Sequence, residues 1–160
     1  MATLRLVLIV LGLFALSALL GASIYDGVVL APNLRGGPAG LEHGRLFMSR
    51  ANPGTLFRVL SPATQLLLLA ALIAAWRLQQ CRWLLLGALI AILLADVITF
   101  TFHYPRNRLL FGSPLTTDPA LLAAAAREWA WGNLVRIALV IAAWLSTLLA
   151  FGRAFSIFKP

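Results

Sequence analysis

Long apolar stretches separated by short charged or Pro- and Gly-rich segments dominate the hydrophobic pattern of the chain. Four stretches, at about residues 5–25, 58–77, 83–103 and 120–152, each offer roughly the 20 apolar residues that an α-helix needs to cross a bilayer core about 30 Å thick. We therefore predict an all-α fold, a four-transmembrane-helix bundle, in a single integral membrane domain over residues 1–160. The first stretch also has the basic start of a signal peptide, but it is long enough to be an uncleaved span.

The segment between the first two spans, residues 26–58, mixes turn formers with charged residues. It is predicted to be a long extracytoplasmic loop that contains one short interfacial helix near residues 41–49. A lid over a functional site and a plain connection at headgroup level both suit a loop of this length. Further along, Pro105 is predicted to end the third span, and Asp118 followed by Pro119 to cap the start of the fourth.

Composition agrees with a membrane protein, because 61% of the residues are hydrophobic and only 11% are charged. The net charge of +8 is spread over loops and helix ends without a continuous basic face, so we expect lipid headgroups and not nucleic acid as the counterions. The expected partners are the lipid bilayer and a lipophilic small molecule, and a second copy of the chain or a larger membrane complex stays open. Cys81 has no second cysteine to pair with; an inert thiol is favoured over acylation.

The distribution of charge predicts the orientation. The two termini and the turn at residues 77–82 carry basic residues and no acidic one: Arg5, Arg77, Arg82, Arg153 and Lys159. Short basic segments of this kind stay in the cytoplasm. The sequence therefore predicts a multi-pass protein of the bacterial inner (cytoplasmic) membrane with both termini cytoplasmic.

Polar residues inside the spans form the candidate site. Asp96 and His103 share one helix face, because they are spaced i, i+7. Counted at 1.5 Å per residue from the basic inner end of each span, Asp96, Arg136 and Ser61 lie at about 21 to 25 Å. Asp96 and Arg136 are the charges well inside their spans and have opposite sign, so we expect them to face each other.

A second polar layer is predicted above the first, with Asp26, Arg58, His103 and Asn133 at about 28 to 32 Å by the same count. On the fourth span Trp129, Asn133 and Arg136 share one face at i, i+4, i+7. Two interpretations of the expected pair between Asp96 and Arg136 remain open. It is either an ion pair that only fixes helix register, or the floor of a polar pocket.

His103 is either a base, a metal ligand or a hydrogen-bonded residue near a helix end. A two-histidine, one-carboxylate metal site with His43 and Asp26, Glu42 or Asp96 is a less favoured alternative, since the spacing is diffuse. Metal and haem motifs, phosphate-binding glycine loops and nucleophile elbows are absent from the sequence.

Three short motifs resemble the anthrone oxygenase-like family of small four-helix membrane proteins. They are Tyr25-Asp26 at the end of the first span, residues 104–107 (YPRN) at the end of the third, and the Trp129, Asn133 and Arg136 set in the fourth. The resemblance extends over nearly the whole chain. It implies oxidation of an anthrone-like polyphenol by molecular oxygen, without an organic cofactor.

If that chemistry applies, Asn107, Asn133 and Arg136 would donate hydrogen bonds to a phenolate or enolate, and Trp129 would stack on its rings. His103 is our candidate for the base. Tyr25, Asp26 and Asp96 complete the expected substrate-binding set. The competing function class is a non-catalytic bundle that binds lipid or scaffolds a membrane complex.

Overall fold

The computed structural model of the protein describes residues 2–112, 116 and 118–157. Residues 1 and 158–160, the ends of the predicted domain, lie outside them. The described chain is all-α, as the hydrophobic pattern predicts. In chain order the elements are α1 (Ala2–Tyr25), the π-helical segment π1 (Asp26–Leu30), α2 (Ala31–Leu34), α3 (Gly37–Phe47), α4 (Pro53–Ala74), α5 (Gln79–Ile98), the π-helical segment π2 (Thr99–His103), α6 (Tyr104–Phe111) and α7 (Pro119–Ile157).

Four helical rods are long and apolar enough to cross a membrane by their length and composition. They are Thr3–Leu34, Pro53–Ala74, Gln79–Phe111 and Pro119–Ile157. α1 and α5 each pack against both α4 and α7, so the four rods surround a common axis. One end of the bundle, here called the terminal end, carries the start of α1, the end of α7 and the turn between α4 and α5. The opposite end carries α3 and is called the α3 end.

Two of the rods continue beyond their predicted ends, and a proline lies within each continuation. The first rod continues past Tyr25 to Leu34, and the third continues through Pro105 to Phe111. Proline lacks an N–H and clashes with the carbonyl four residues back, which normally breaks an α-helix. Here each proline follows a wider π-helical turn, in which the N–H of the residue after the segment bonds five residues back, from Tyr104 to Thr99. The helix thereby continues through the proline.

The predicted long loop is largely helical. After α2 the chain reverses at Gly37, whose φ of +74° is a conformation that suits glycine, and α3 follows. α3 overlaps the helix expected near residues 41–49, and its position at a membrane interface stays a prediction. The predicted cap of α7 is confirmed: Asp118 Oδ1 accepts hydrogen bonds from the backbone N–H groups of Ala120 and Leu121, at 2.9 and 3.3 Å.

The apolar interior is divided into two clusters. The larger one fills the terminal end around Ile9, Leu68, Leu85 and Ala150. The smaller one lies at the α3 end, where α2, α3 and α6 pack on the first turns of α7. α4 has 22 residues, about 33 Å, whereas the rods beside it are about 50 Å or longer. The shorter α4 leaves space next to its N-terminal half, between the two clusters.

Cys81 lies at the terminal end and is fully buried. Its Sγ is 3.6 Å from the carbonyl oxygen of Ala150 in α7. A thiol enclosed in this way is not accessible for acylation, which supports the interpretation of an inert side chain.

Candidate functional site

A cavity of about 620 Å³ occupies the space beside the N-terminal half of α4. This volume lies within the range of pockets that enclose small organic molecules. Side chains from all four rods line it, and the end of α3 with the linker at residues 48–52 covers it. Leu19, Phe57, Ile92 and Val140 are among its apolar lining residues, and its charged or ionisable ones are Asp26, Arg45, Arg58, Asp96, His103 and Arg136.

The buried arginine of the site pairs with Asp26 and not, as predicted, with Asp96. Arg136 Nη2 donates to Asp26 Oδ2 at 2.8 Å, and both side chains are less than a tenth exposed. The guanidinium carbon also lies 4.5 Å from the ring centroid of Phe57, in cation–π geometry. The prediction compared Cα heights, and the long arginine side chain reaches across the difference of about 6 Å between the two polar layers.

Asp96 instead accepts hydrogen bonds from neutral side chains of α4. The Ser61 hydroxyl lies 2.8 Å from both carboxylate oxygens, and the Gln65 amide nitrogen donates to Oδ2. Ser61 was predicted at the same depth as Asp96, and the hydrogen bond between the two side chains agrees with that prediction. The direction in which Asp96 points could not be derived from it, because α5 packs against both α4 and α7.

Asn133 lies behind the arginine and outside the cavity lining. Its Oδ1 accepts from Arg136 Nη2 at 2.7 Å, and its Nδ2 donates to the Ser23 carbonyl at 3.3 Å. Asn133 is fully buried. The expected role of this amide as a direct donor to a ligand is therefore wrong, and what it does is hold the guanidinium in place.

His103 is the last residue of π2 and is only 1% exposed. Neither ring nitrogen makes a hydrogen bond of good geometry to a residue that the structure describes, and the backbone of Gly132 offers only a weak contact. The Trp129 ring packs against the imidazole edge to face, with centroids 5.3 Å apart. On another side Gly132 leaves room for the ring, because a Cβ there would lie 3.2 Å from Nε2.

Asn107 and Trp129 bond to each other instead of acting separately. The Trp129 indole N–H donates to Asn107 Oδ1 at 2.8 Å, and both residues line the cavity. The amide nitrogen of Asn107 remains the end of that side chain that can donate to a ligand. Next to it Arg106 is tied to Glu128 by a 2.8 Å salt bridge, which fixes α6 on α7.

Tyr25 and His43, which were considered from the sequence, lie away from the cavity. Tyr25 is 44% exposed on the outside of the bundle, so it does not contribute to the site. His43 is exposed on α3 and does not approach His103. Among residues 2–112, 116 and 118–157, no group of three or more His, Cys, Asp or Glu side chains could hold a metal ion. The two-histidine metal arrangement is thus not formed.

Both π-helical segments contribute to the site, and the sequence interpretation missed them. Asp26 is the first residue of π1 and His103 the last of π2. In each case a proline stands six residues after the first residue of the segment, Pro32 in one rod and Pro105 in the other. That spacing, together with adjacent polar residues, is the signal that could have revealed them. π-Helical turns inside α-helices are frequent at functional sites.

These features define a class of protein: a small all-α chain of four apolar rods that enclose a polar-floored cavity near one end. Comparisons of the chain with protein-family models, with curated proteins and with solved structures found no match.

Proposed function

We propose that the chain is an integral membrane protein of the bacterial inner membrane that crosses the bilayer four times, with α3 at the interface. The outward faces of the rods support this placement, since they expose large apolar side chains along their length. Phe14, Val59, Leu66 and Ile73 are each at least 66% exposed. Lipid chains are the environment in which such faces carry no hydrophobic penalty.

We further propose that the protein binds a flat lipophilic polyphenol or quinol-like molecule in the cavity and oxidises it with molecular oxygen. The observation that carries this proposal is His103. It is buried in the lining of the cavity, and neither of its ring nitrogens makes a hydrogen bond of good geometry to a described residue. An unsatisfied buried polar group costs about 1–3 kcal/mol, so its persistence calls for a functional explanation.

The chemistry demands little beyond these residues. His103 would take a proton from a methylene carbon that an aromatic ketone has acidified. The Arg136 guanidinium, whose buried Nε makes no hydrogen bond to a described residue, and the Asn107 amide nitrogen would hold the resulting enolate or phenolate oxygen. Oxygen then accepts four electrons in total: the methylene becomes a carbonyl that contains one oxygen atom, and the other atom leaves as water together with the two methylene hydrogens.

The resemblance to the anthrone oxygenase-like family supports the same activity, without an organic cofactor. Among the residues of the three motifs that carry it, Asp26, Asn107, Trp129 and Arg136 line the cavity. In our proposal Asn133 positions Arg136, and Asp26 supplies the counter-charge. Trp129 lines the cavity beside His103, where its ring would contact the aromatic rings of the substrate.

The test is oxygen uptake by purified protein with a panel of anthrones and quinols, corrected for spontaneous oxidation. We expect His103→Gln to lower turnover by about 10² or more, because it removes the base. Arg136→Lys should also lower activity, since lysine keeps the charge but loses the planar fork of donors. His43→Gln is the matched control and should oxidise at the wild-type rate.

The melting temperature of each variant separates loss of chemistry from loss of fold. If a substrate is found and His103→Gln turns it over at the wild-type rate, the assigned base is wrong. Binding of such molecules without any oxygen uptake would instead favour a non-catalytic protein that carries or senses them.

A further inference from the structure

The mouth of the cavity carries two arginines that the proposed chemistry does not use. Arg45 is in the last turn of α3, and Arg58 is near the start of α4; both line the cavity. Arg136 has its carboxylate partner in Asp26. For Arg45 the nearest carboxylate is that of Glu42, at 4.0 Å, and the Glu42 side chain is 62% exposed.

Arg45 is held in a fixed position with a free donor. Its Nε donates to the Leu110 carbonyl of α6 at 2.8 Å, which fixes the plane of the guanidinium. Its Nη2 is buried and makes no hydrogen bond to any described residue. A guanidinium fixed by its Nε keeps its outer nitrogens in the geometry that suits a carboxylate or phosphate group.

Arg58 faces the same space from the other side of the linker. Its Nε donates to the Gly54 carbonyl at 3.2 Å and its Nη2 to Thr55 Oγ1 at 3.3 Å, so its contacts lie within its own helix and leave its charge without a counterion there. Ser49 and Asn52 also line this part of the cavity. The Asn52 side chain makes no capping hydrogen bond to α4, so its amide is free to bind a ligand.

We propose that Arg45 and Arg58 form an anion subsite at the mouth, for a carboxylate- or phosphate-type group of an amphiphile whose apolar body fills the cavity. The lining supports both halves of such a molecule. Charged donors lie at the mouth, while Leu19, Ile92 and Val140 lie on the side of the terminal-end cluster. This inference rests on the cavity of the proposed function and adds an acidic group to the ligand.

The anionic group has two sources, the headgroup of a membrane lipid or an acidic substituent on the substrate. Both are tested with protein in a neutral detergent: binding of the quinones is measured by quenching of tryptophan fluorescence, because Trp129 lines the cavity, and binding of the lipids by their competition with a bound quinone. One pair of probes is phosphatidylglycerol against phosphatidylcholine of the same chains. The other pair is anthraquinone-2-carboxylate against its neutral amide, and inorganic phosphate alone is added as a competitor.

We expect the anionic member of at least one pair to bind about tenfold or more tightly than its neutral counterpart, as charge-assisted hydrogen bonds provide. Arg58→Gln and Arg45→Gln should each reduce that preference. Arg50→Gln removes the same charge from an exposed position that does not line the cavity, and it should leave the preference unchanged. A preference in the lipid pair identifies a headgroup as the anion, and one in the quinone pair identifies an acidic substrate.

If the anionic and neutral members of both pairs bind equally well, the anion subsite is refuted. It is also refuted if Arg45→Gln, Arg58→Gln and Arg50→Gln all lower the preference for the anion to the same extent. Arg45 also ties α3 to α6, so Arg45→Gln could loosen the fold; Arg58→Gln and the salt dependence of the wild-type preference then decide the matter. If the protein takes up oxygen but shows no preference for acidic substrates, the proposed function is supported and the anion subsite is refuted. If the anionic probes are preferred but no oxygen uptake is measured, the anion subsite is supported and the proposed oxidation is not.

Discussion

His103 differs from the other buried polar side chains of the described chain in having no hydrogen bond of good geometry. The buried Ser, Thr and Asn side chains are satisfied within their own helix or across to a neighbour, as in the bond from Ser23 to the Leu19 carbonyl. Asp26 and Arg136 satisfy each other in part. An imidazole that packing alone holds in place is free to exchange a proton with a ligand, which is why it is the centre of the proposed chemistry.

The pair between Asp26 and Arg136 gives a prediction on stability. Asp26→Asn removes the counter-charge of a buried guanidinium and should cost about 3 to 5 kcal/mol, because a buried charge is left without compensation. Arg136→Gln should cost a similar amount, and the double variant should recover part of the loss. Unfolding free energies in detergent, arranged as a double-mutant cycle, measure the coupling.

Asp96→Asn serves as the control for that cycle. Asp96 is bound by the neutral Ser61 and Gln65 side chains, and asparagine keeps one oxygen acceptor, so the cost should stay below about 1.5 kcal/mol. Strictly additive losses for Asp26 and Arg136 would contradict the pair. A strong coupling between Asp96 and Arg136 would restore the partner that the sequence first suggested.

Depth along a helix could be predicted from the sequence, but direction around it could not. Counting residues placed Asp96 and Ser61 at the same level, and they are bonded in the structure. The count failed for Arg136, because its partner lies in a neighbouring helix at another height and the side chain spans the gap. The rotation of each helix is set by packing of the whole bundle, which the local sequence does not encode.

At the scale of elements, the two π-helical segments shape the site. Each brings one ionisable residue to the cavity, Asp26 in π1 and His103 in π2, and each is followed by a proline within the same rod. π2 also approaches α7 closely at Gly132, where a Cβ would lie 2.6 Å from the Phe102 ring. Glycine at this position is therefore required by packing.

Gly132→Ala tests that close contact. The added methyl group must displace Phe102 or move π2 away from α7, and overpacking of this kind costs about 1–3 kcal/mol. It should also disturb His103, whose Nε2 would lie 3.2 Å from the new Cβ. Thermal unfolding of the purified variant measures the loss, and ligand binding measures the disturbance of the site.

Gly152→Ala in the same helix is the matched control. No neighbouring atom of the described residues lies within 4 Å of a Cβ at that position. Alanine is there expected to stabilise the helix by about 0.5–1 kcal/mol, through its higher helix propensity. If both variants change the melting temperature in the same direction and by the same amount, the tight packing of π2 on α7 is refuted.

The helices themselves were the most predictable part of the protein, and their ends the least. Apolar runs of about 20 residues identified all four rods, since a helix of that length satisfies its own backbone hydrogen bonds. The end at His103 was wrong because Pro105 was taken as a stop signal, and the end at Tyr25 because the charged, turn-rich segment after it was taken as a loop. Tertiary packing and a π-helical turn together carry each helix beyond its predicted end, and neither is visible in hydropathy.

At the scale of the whole molecule, unequal rod lengths create the cavity. α4 begins at Pro53, well short of the α3 end that the first, third and fourth rods reach, and the α3–α4 linker closes the space only in part. Polar groups are accordingly concentrated in one half of the bundle, while the terminal-end cluster is apolar. This asymmetry could be predicted from residue depths, whereas the shortness of α4 appears only once the true ends of its neighbours are known.

Orientation in the membrane is the last prediction, and it decides from which side a ligand reaches the cavity. The terminal end carries the basic residues Arg5, Arg77, Arg82 and Arg153 without an acidic one, so we expect it in the cytoplasm and the cavity mouth on the opposite side.

A reporter fused after Pro160 should then give a cytoplasmic signal. The same reporter inserted at the exposed turn of residues 35–37, between α2 and α3, should give the external signal. Insertion at the turn of residues 75–78 is the control and should agree with the C-terminal fusion, since both lie at the terminal end. An external signal from Pro160 would reverse the orientation and place the Arg45 and Arg58 subsite on the cytoplasmic side, while like signals from residues 35–37 and Pro160 would refute the four crossings.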